Sequence, residues 1–151
     1  MLLNDGLTTI GKYCFNESGL ETVAIPASVR YIELHAFAYS SLKQLRFLGP
    51  GKEQHCEHSS DSTEDDDRQY EYLPVIEERA FADCMNLRQV VFDPGSKVAQ
   101  IQQYAFCCSG LESFAAPASL REIGLMAFRE CHYLKSFTLN EGIRKLDLLC
   151  L

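Results

Sequence analysis

Two histidines and a thiol fall within four residues at His55, Cys56 and His58. Imidazole and thiolate are transition-metal ligands, but a structural zinc site needs four donors and no second pair accompanies these. The run Asp61-Ser62-Thr63-Glu64-Asp65-Asp66-Asp67 could offer oxygens to calcium, yet it lacks the glycine and terminal glutamate of an EF-hand loop. Both stretches read as a solvated loop, in which Ser59, Ser60, Ser62 and Thr63 are open to phosphorylation. His35 and His132 have no carboxylate or thiol at a matching phase, and the side chains of neighbouring Cys131 and His132 diverge. There is no glycine-rich phosphate loop and no serine nucleophile elbow; Gly49-Pro50-Gly51 is a turn. No catalytic, cofactor-binding or metal residue is therefore assigned. The chain reads as a non-enzyme whose function lies on a surface.

The elements that must build such a surface come from a repeat. Ile101 is followed four residues later by Ala105 and then Phe106, and the frame recurs as Ile10/Cys14/Phe15, Ile32/Ala36/Phe37, Ile76/Ala80/Phe81 and Ile123/Ala127/Phe128. The phenylalanines are 22, 44, 25 and 22 residues apart. After each comes a leucine (Leu20, Leu42, Leu87, Leu111, Leu134) and a run with apolar residues at alternate positions: Val23/Ile25, Leu45/Phe47, Val90/Phe92, Phe114/Ala116 and Phe137/Leu139. Period 2 marks a strand with one face turned inward. Pro26, Gly49-Pro50, Pro94, Pro117 and Gly142 end these runs, since proline donates no ladder hydrogen bond. PASVR at 26–30 returns as PASLR at 117–121, in phase with the phenylalanines. No single copy can bury its own apolar face, so the copies must stack into a solenoid with a continuous core.

Parallel strands are predicted near 21–25, 43–47, 88–92, 112–116 and 135–139. Ile and the small residue four positions on share one face of a helical turn, so one or two turns of α- or 3₁₀-helix are expected there. The five phenylalanines should form one stacked column.

The consensus I-G-x-x-A-F-x-x-C-x-x-L-x-x-h-x-I-P-x-S-V, seen best in IGKYCF with AIPASV and in IGLMAFREC with FTL, resembles the BspA-like leucine-rich repeats, the Treponema pallidum class. Only Cys84 and Cys131 match the family's cysteine after A-F-x-x; Ser18, Ser40 and Ser109 stand near that slot in the shorter copies. The resemblance implies an α/β right-handed solenoid, with a parallel sheet on the concave face and short helical or 3₁₀ turns on the convex side. About five repeats of 22–23 residues are expected, near 7–29, 30–48, 73–98, 99–120 and 121–143, with a partial copy at 144–151. It also implies adhesion: members are surface proteins of oral bacteria and of protists such as trichomonads, binding host or neighbour-cell proteins. The outward strand positions line the expected binding face: Thr22, Ala24, Gln44, Arg46, Gln89, Val91, Ser113, Ala115, Ser136 and Thr138.

Charge and cysteine usage complete the reading. Residues 50–72 carry Glu53, Glu57, Asp61, Glu64, Asp65, Asp66, Asp67 and Glu71 against Lys52 and Arg68, a net −6 of the chain's −7. The repeats are thus nearly neutral, and residues 49–72 read as an acidic, disordered insert. Neither part offers a basic field for nucleic acid. Seven cysteines, an odd number in phase with the repeat, make a poor disulfide framework. Cys14, Cys84 and Cys131 are expected inside as small apolar groups, and Cys107 and Cys108 as one buried and one exposed. MLLND does not resemble a signal peptide, and no stretch approaches the roughly 18 apolar residues of a membrane span. The pattern runs to both ends, with Leu146 in the isoleucine slot of a sixth copy. The chain therefore reads as a fragment or an incomplete gene product. An intracellular scaffold is the alternative to a surface adhesin.

Overall fold

A computed structural model describes residues 1–50 and 73–147. The His55/Cys56/His58 cluster and the acidic run lie outside the described residues. The chain winds through two parallel sheets. One holds five strands in the order β10-β8-β6-β4-β2, from β2 (Thr22–Ile25), β4 (Gln44–Phe47), β6 (Gln89–Phe92), β8 (Ser113–Ala115) and β10 (Ser136–Thr138). The other holds six two-residue strands in the order β1-β3-β5-β7-β9-β11, from β1 (Thr9–Ile10), β3 (Tyr31–Ile32), β5 (Val75–Ile76), β7 (Gln100–Ile101), β9 (Glu122–Ile123) and β11 (Lys145–Leu146). Leu146 pairs with Ile123, so the isoleucine column does continue into the sixth copy. At the other end Leu2 bridges Ala24, and the Met1 carbonyl accepts from the Ala24 amide at 3.0 Å, which occupies the edge of β2.

The expected helical turns are not formed: the described residues contain no helix, and the architecture is an all-β parallel solenoid. The isoleucines lie in the six-stranded sheet rather than on a helical face. The residues between each isoleucine and leucine form successive tight turns whose amides alternate in direction. In the first coil the amides of Cys14, Asn16 and Ser18 bond locally to the carbonyls of Gly11, Tyr13 and Phe15. The intervening amides of Tyr13, Phe15 and Glu17 reach the carbonyls of Leu34, Ala36 and Ala38 in the next coil, at 3.2, 2.7 and 2.9 Å. The second, third and fourth coils repeat the outward set, for example Phe37 to Ala80, Phe81 to Ala105 and Phe106 to Ala127, each at 2.8 Å. A helix would spend these amides on its own carbonyls four residues back, leaving fewer for the neighbouring coil.

The alternation requires left-handed backbone at two places per coil: Tyr13/Glu17, His35/Tyr39, Arg79/Asp83, Tyr104/Cys108 and Met126/Glu130, with φ between 54° and 59°. None is glycine, and each costs roughly 1–2 kcal/mol against right-handed backbone. Such residues persist where their surroundings over-determine them, and here eight of the ten, all but Met126 and Glu130 of the fifth coil, donate their amide to the next coil.

The core lies between the two sheets and the turns. Phe15, Phe37, Phe81, Phe106 and Phe128 stack with centroids 4.9, 5.1, 5.2 and 5.3 Å apart and ring planes within 16°. A second aromatic set lies under the five-stranded sheet: Phe47 stacks on Phe92 at 5.0 Å and Phe114 on Phe137 at 5.4 Å. Phe114 meets Phe128 at 4.7 Å and ties the two sets together. The small residue before each column phenylalanine is fully buried at Ala36, Ala80, Ala105 and Ala127. Cys14, expected inside, is exposed, because no coil lies on its outer side.

Phe106→Ala should cost roughly 3–5 kcal/mol, the range for large-to-small changes in a core; a loss under about 1 kcal/mol in urea unfolding would show that the column does not carry the core. Glu17→Gly should be neutral or stabilising by up to about 1 kcal/mol. Glu17→Val should lose roughly 1–2 kcal/mol, because a β-branched residue is a steric outlier at φ 56°. Equal midpoints for the two variants would mean the turn stores no strain.

Candidate protein-interaction face

The five-stranded sheet turns one set of side chains to the core and the other to solvent. Its register aligns the outward positions in two rows. Thr22, Gln44, Gln89, Ser113 and Ser136 form the first through the pairs Thr22–Gln44, Gln44–Gln89, Gln89–Ser113 and Ser113–Ser136. Ala24, Arg46 and Val91 align in the second, as do Ala115 and Thr138. All ten are exposed or half-exposed. Thr22 and Ala24 sit beside the N-terminal residues: the Met1 amino group donates to the Thr22 carbonyl at 2.6 Å.

Arg46 is the one charged side chain among the ten, and Asp93 neutralises it. Its Nε donates to Asp93 Oδ1 at 2.6 Å, and this hydrogen bond, reinforced by the carboxylate's charge, raises the guanidinium pKa further. One position before the strands, Glu21 pairs with Lys43 at 2.7 Å, Arg88 lies 4.0 Å from Glu112, and Lys135 lies 3.9 Å from the same carboxylate. These exposed pairs contribute about 0–1 kcal/mol each. Their effect here is to leave a neutral face with a border of internally paired charge.

The cysteine slot has a role that sequence spacing did not reveal. Cys84 Sγ donates to the Phe37 carbonyl of the preceding coil at 3.2 Å and lies 3.4 Å from Ser40 Oγ. Cys131 does the same with the Phe106 carbonyl and Ser109 Oγ, both at 3.2 Å. Serine and cysteine thus share one column, and where the slot holds cysteine it ties the coil to its predecessor. The serines of the two PAS motifs work similarly. Ser28 Oγ donates to the Leu7 carbonyl at 2.9 Å, and Ser119 Oγ both accepts from the Val98 amide and donates to its carbonyl.

The histidines also find partners. His132 Nε2 lies 2.9 Å from Glu130 Oε2, a carboxylate partner that spacing alone did not suggest. The ring of His35 stacks on Tyr13 with centroids 5.2 Å apart. Cys107 and Cys108, expected as one buried and one exposed, are both half-buried. Among the described residues no three His, Cys, Asp or Glu side chains are placed to hold a metal ion.

Parallel sheets, one buried ladder of aromatics and a repeat every coil define a leucine-rich-repeat solenoid. The sequence matches the BspA type leucine-rich repeat region, in six copies, over residues 1–57 and 69–151, and the chain belongs to that family. No curated protein matches the sequence. The fold is similar to that of a leucine-rich repeat protein from Bacteroides ovatus, with a TM-score of 0.54 and 20% identity over 94% of this chain and 37% of that one. It is also similar to the pneumococcal vaccine antigen PcpA, with a TM-score of 0.50 and 18% identity over 94% of this chain and 28% of that one. The chain thus spans less than two fifths of the length of the first structure and under a third of the second. No described helix is long and apolar enough to cross a membrane.

Burial raises the Cys84 thiol from 9.0 to about 11. The folded state therefore holds this proton more tightly than the unfolded chain does. The resulting stability is fully present below the ordinary thiol value and is lost as pH rises through about 11. Unfolding free energy should fall by about 2–3 kcal/mol over that window. Cys84→Ser, which retains a donor for the Phe37 carbonyl, should flatten the fall; an identical pH profile for the variant would remove Cys84 as its origin.

Proposed function

We propose that the chain is a non-enzymatic protein-binding module of the adhesin type, which engages host or neighbour-cell proteins through the outer face of the five-stranded sheet. The observation that supports this most directly is the character of that face. It is a broad, neutral surface of small and amide side chains, with its single cation already paired to Asp93. The inner strands pair on both sides, so a partner meets mainly side chains there and loses little desolvation energy on a face without free charge. Membership of a family of BspA type repeats agrees with this reading. An intracellular scaffold is the second reading, favoured by the five free cysteines among the described residues.

Two measurements test the proposal. Photocrosslinkers placed at Gln89 on the candidate face and at Gln103 on the turns should give partner adducts from a host-cell surface extract at the first position only. Crosslinking at Gln103 in preference to Gln89 would move the binding surface elsewhere. Labelling intact producer cells with a membrane-impermeant amine reagent should modify the protein. Labelling only after lysis would favour the scaffold reading.

A further inference from the structure

The turn of the fourth coil holds two adjacent thiols that the stack does not use. The sulfurs of Cys84 and Cys131 bond to the carbonyls of the preceding coil, whereas Cys107 Sγ and Cys108 Sγ contact each other at 3.4 Å. Cys84 is buried, while Cys107 and Cys108 are both half-exposed. Their backbone is tethered on both sides: the Cys107 amide donates to Tyr104 O at 3.0 Å, its carbonyl accepts from the Asp83 amide at 2.8 Å, and the Cys108 amide donates to Arg129 O at 2.8 Å.

A direct disulfide suits this turn poorly. Adjacent α-carbons across a trans peptide stand about 3.8 Å apart, below the roughly 4.4–6.8 Å that disulfides span. Closing the bond would require a backbone movement that three inter-coil and turn hydrogen bonds oppose. An atom that bridges the sulfurs needs no such movement, because it holds them at a non-bonded separation. Zinc needs four ligands, and no third donor is placed for a metal ion among the described residues. A trivalent arsenic that carries one organic group needs only two sulfurs.

We propose that Cys107 and Cys108 form a vicinal dithiol site that binds trivalent organoarsenicals, R–As=O, on the outer turn of the fourth coil. Two As–S bonds form as the As=O bond and both S–H bonds break. The oxygen leaves with the two thiol protons as water, and no electrons are transferred, so no oxidant or reductant is required. Burial, then the neighbouring Cys108 thiol and the negative field of Asp83, push the Cys107 pKa upward.

The test treats the full, reduced chain with one equivalent of phenylarsine oxide, followed by intact mass measurement and peptide mapping. The expected result is one phenylarsenic adduct, with loss of two hydrogens, on the peptide that contains Cys107 and Cys108. Excess 2-mercaptoethanol should leave it in place and dithiothreitol should remove it. Cys107→Ser and Cys108→Ser should each lower the retained adduct at least tenfold, while Cys14→Ser leaves it unchanged. Adduct mapped to Cys56, Cys150 or any other pair, removal by the monothiol, or full retention in either single variant would overturn the site. Mapping on the unaltered chain decides the matter even where a variant fails to fold.

Discussion

In the first four coils of this solenoid, every second amide of the turn belongs to the next coil. That division sets the coil spacing, since Phe15, Phe37, Phe81 and Phe106 donate to the next coil at 2.7–2.8 Å. The same spacing places their rings at stacking distance, with centroids 4.9–5.3 Å apart. Backbone and side chain therefore share one repeat distance, close to the 4.7–4.9 Å between neighbouring strands. The left-handed residues that flank each phenylalanine follow from this requirement, because the chain must reverse its amide direction twice within five residues.

The small polar side chains serve the same end. Ser28 and Ser119 bond to the backbone of the coil before them, and Cys84 and Cys131 do so one column away. A buried donor without a partner costs about 1–3 kcal/mol, so these positions reward a hydroxyl or thiol only when a neighbouring coil is in place. Ser18, in the first coil, shows the limit of the device: its hydroxyl is buried without a partner.

With the backbone committed to stacking, recognition is left to side chains that face outward. The two faces differ in kind. The five-stranded sheet presents aligned neutral rows, with Arg46 held by Asp93, whereas the turns present rings and charges in contact: Tyr13 on His35, Arg79 over Tyr104, and Tyr39 beside Asp83, whose charge raises the phenol pKa. On the proposed binding face, neutral rows would engage a partner through shape and amide hydrogen bonds, with specificity resting on which side chains occupy them.

The one-dimensional order of the chain was enough to determine the repeat, the strands of the five-stranded sheet, the phenylalanine column and the inward and outward alternation, but not the six-stranded sheet at the isoleucines. Each depends on residue type at a fixed spacing, and stacking reuses that spacing in every coil. Leu146 could be placed in the isoleucine column by the same logic, before its pairing with Ile123 was seen. Only the tertiary structure decided the turns. An isoleucine and an alanine four residues apart fit a helix equally well, and the choice fell to hydrogen bonds with carbonyls 21 to 43 residues away, such as Tyr13 to Leu34 and His35 to Glu78. The partners of Arg46, His132, Cys84 and Ser119 were hidden for a related reason. Their partners lie one coil away or sit in a turn whose shape the neighbouring coils impose, and neither is written in the local sequence.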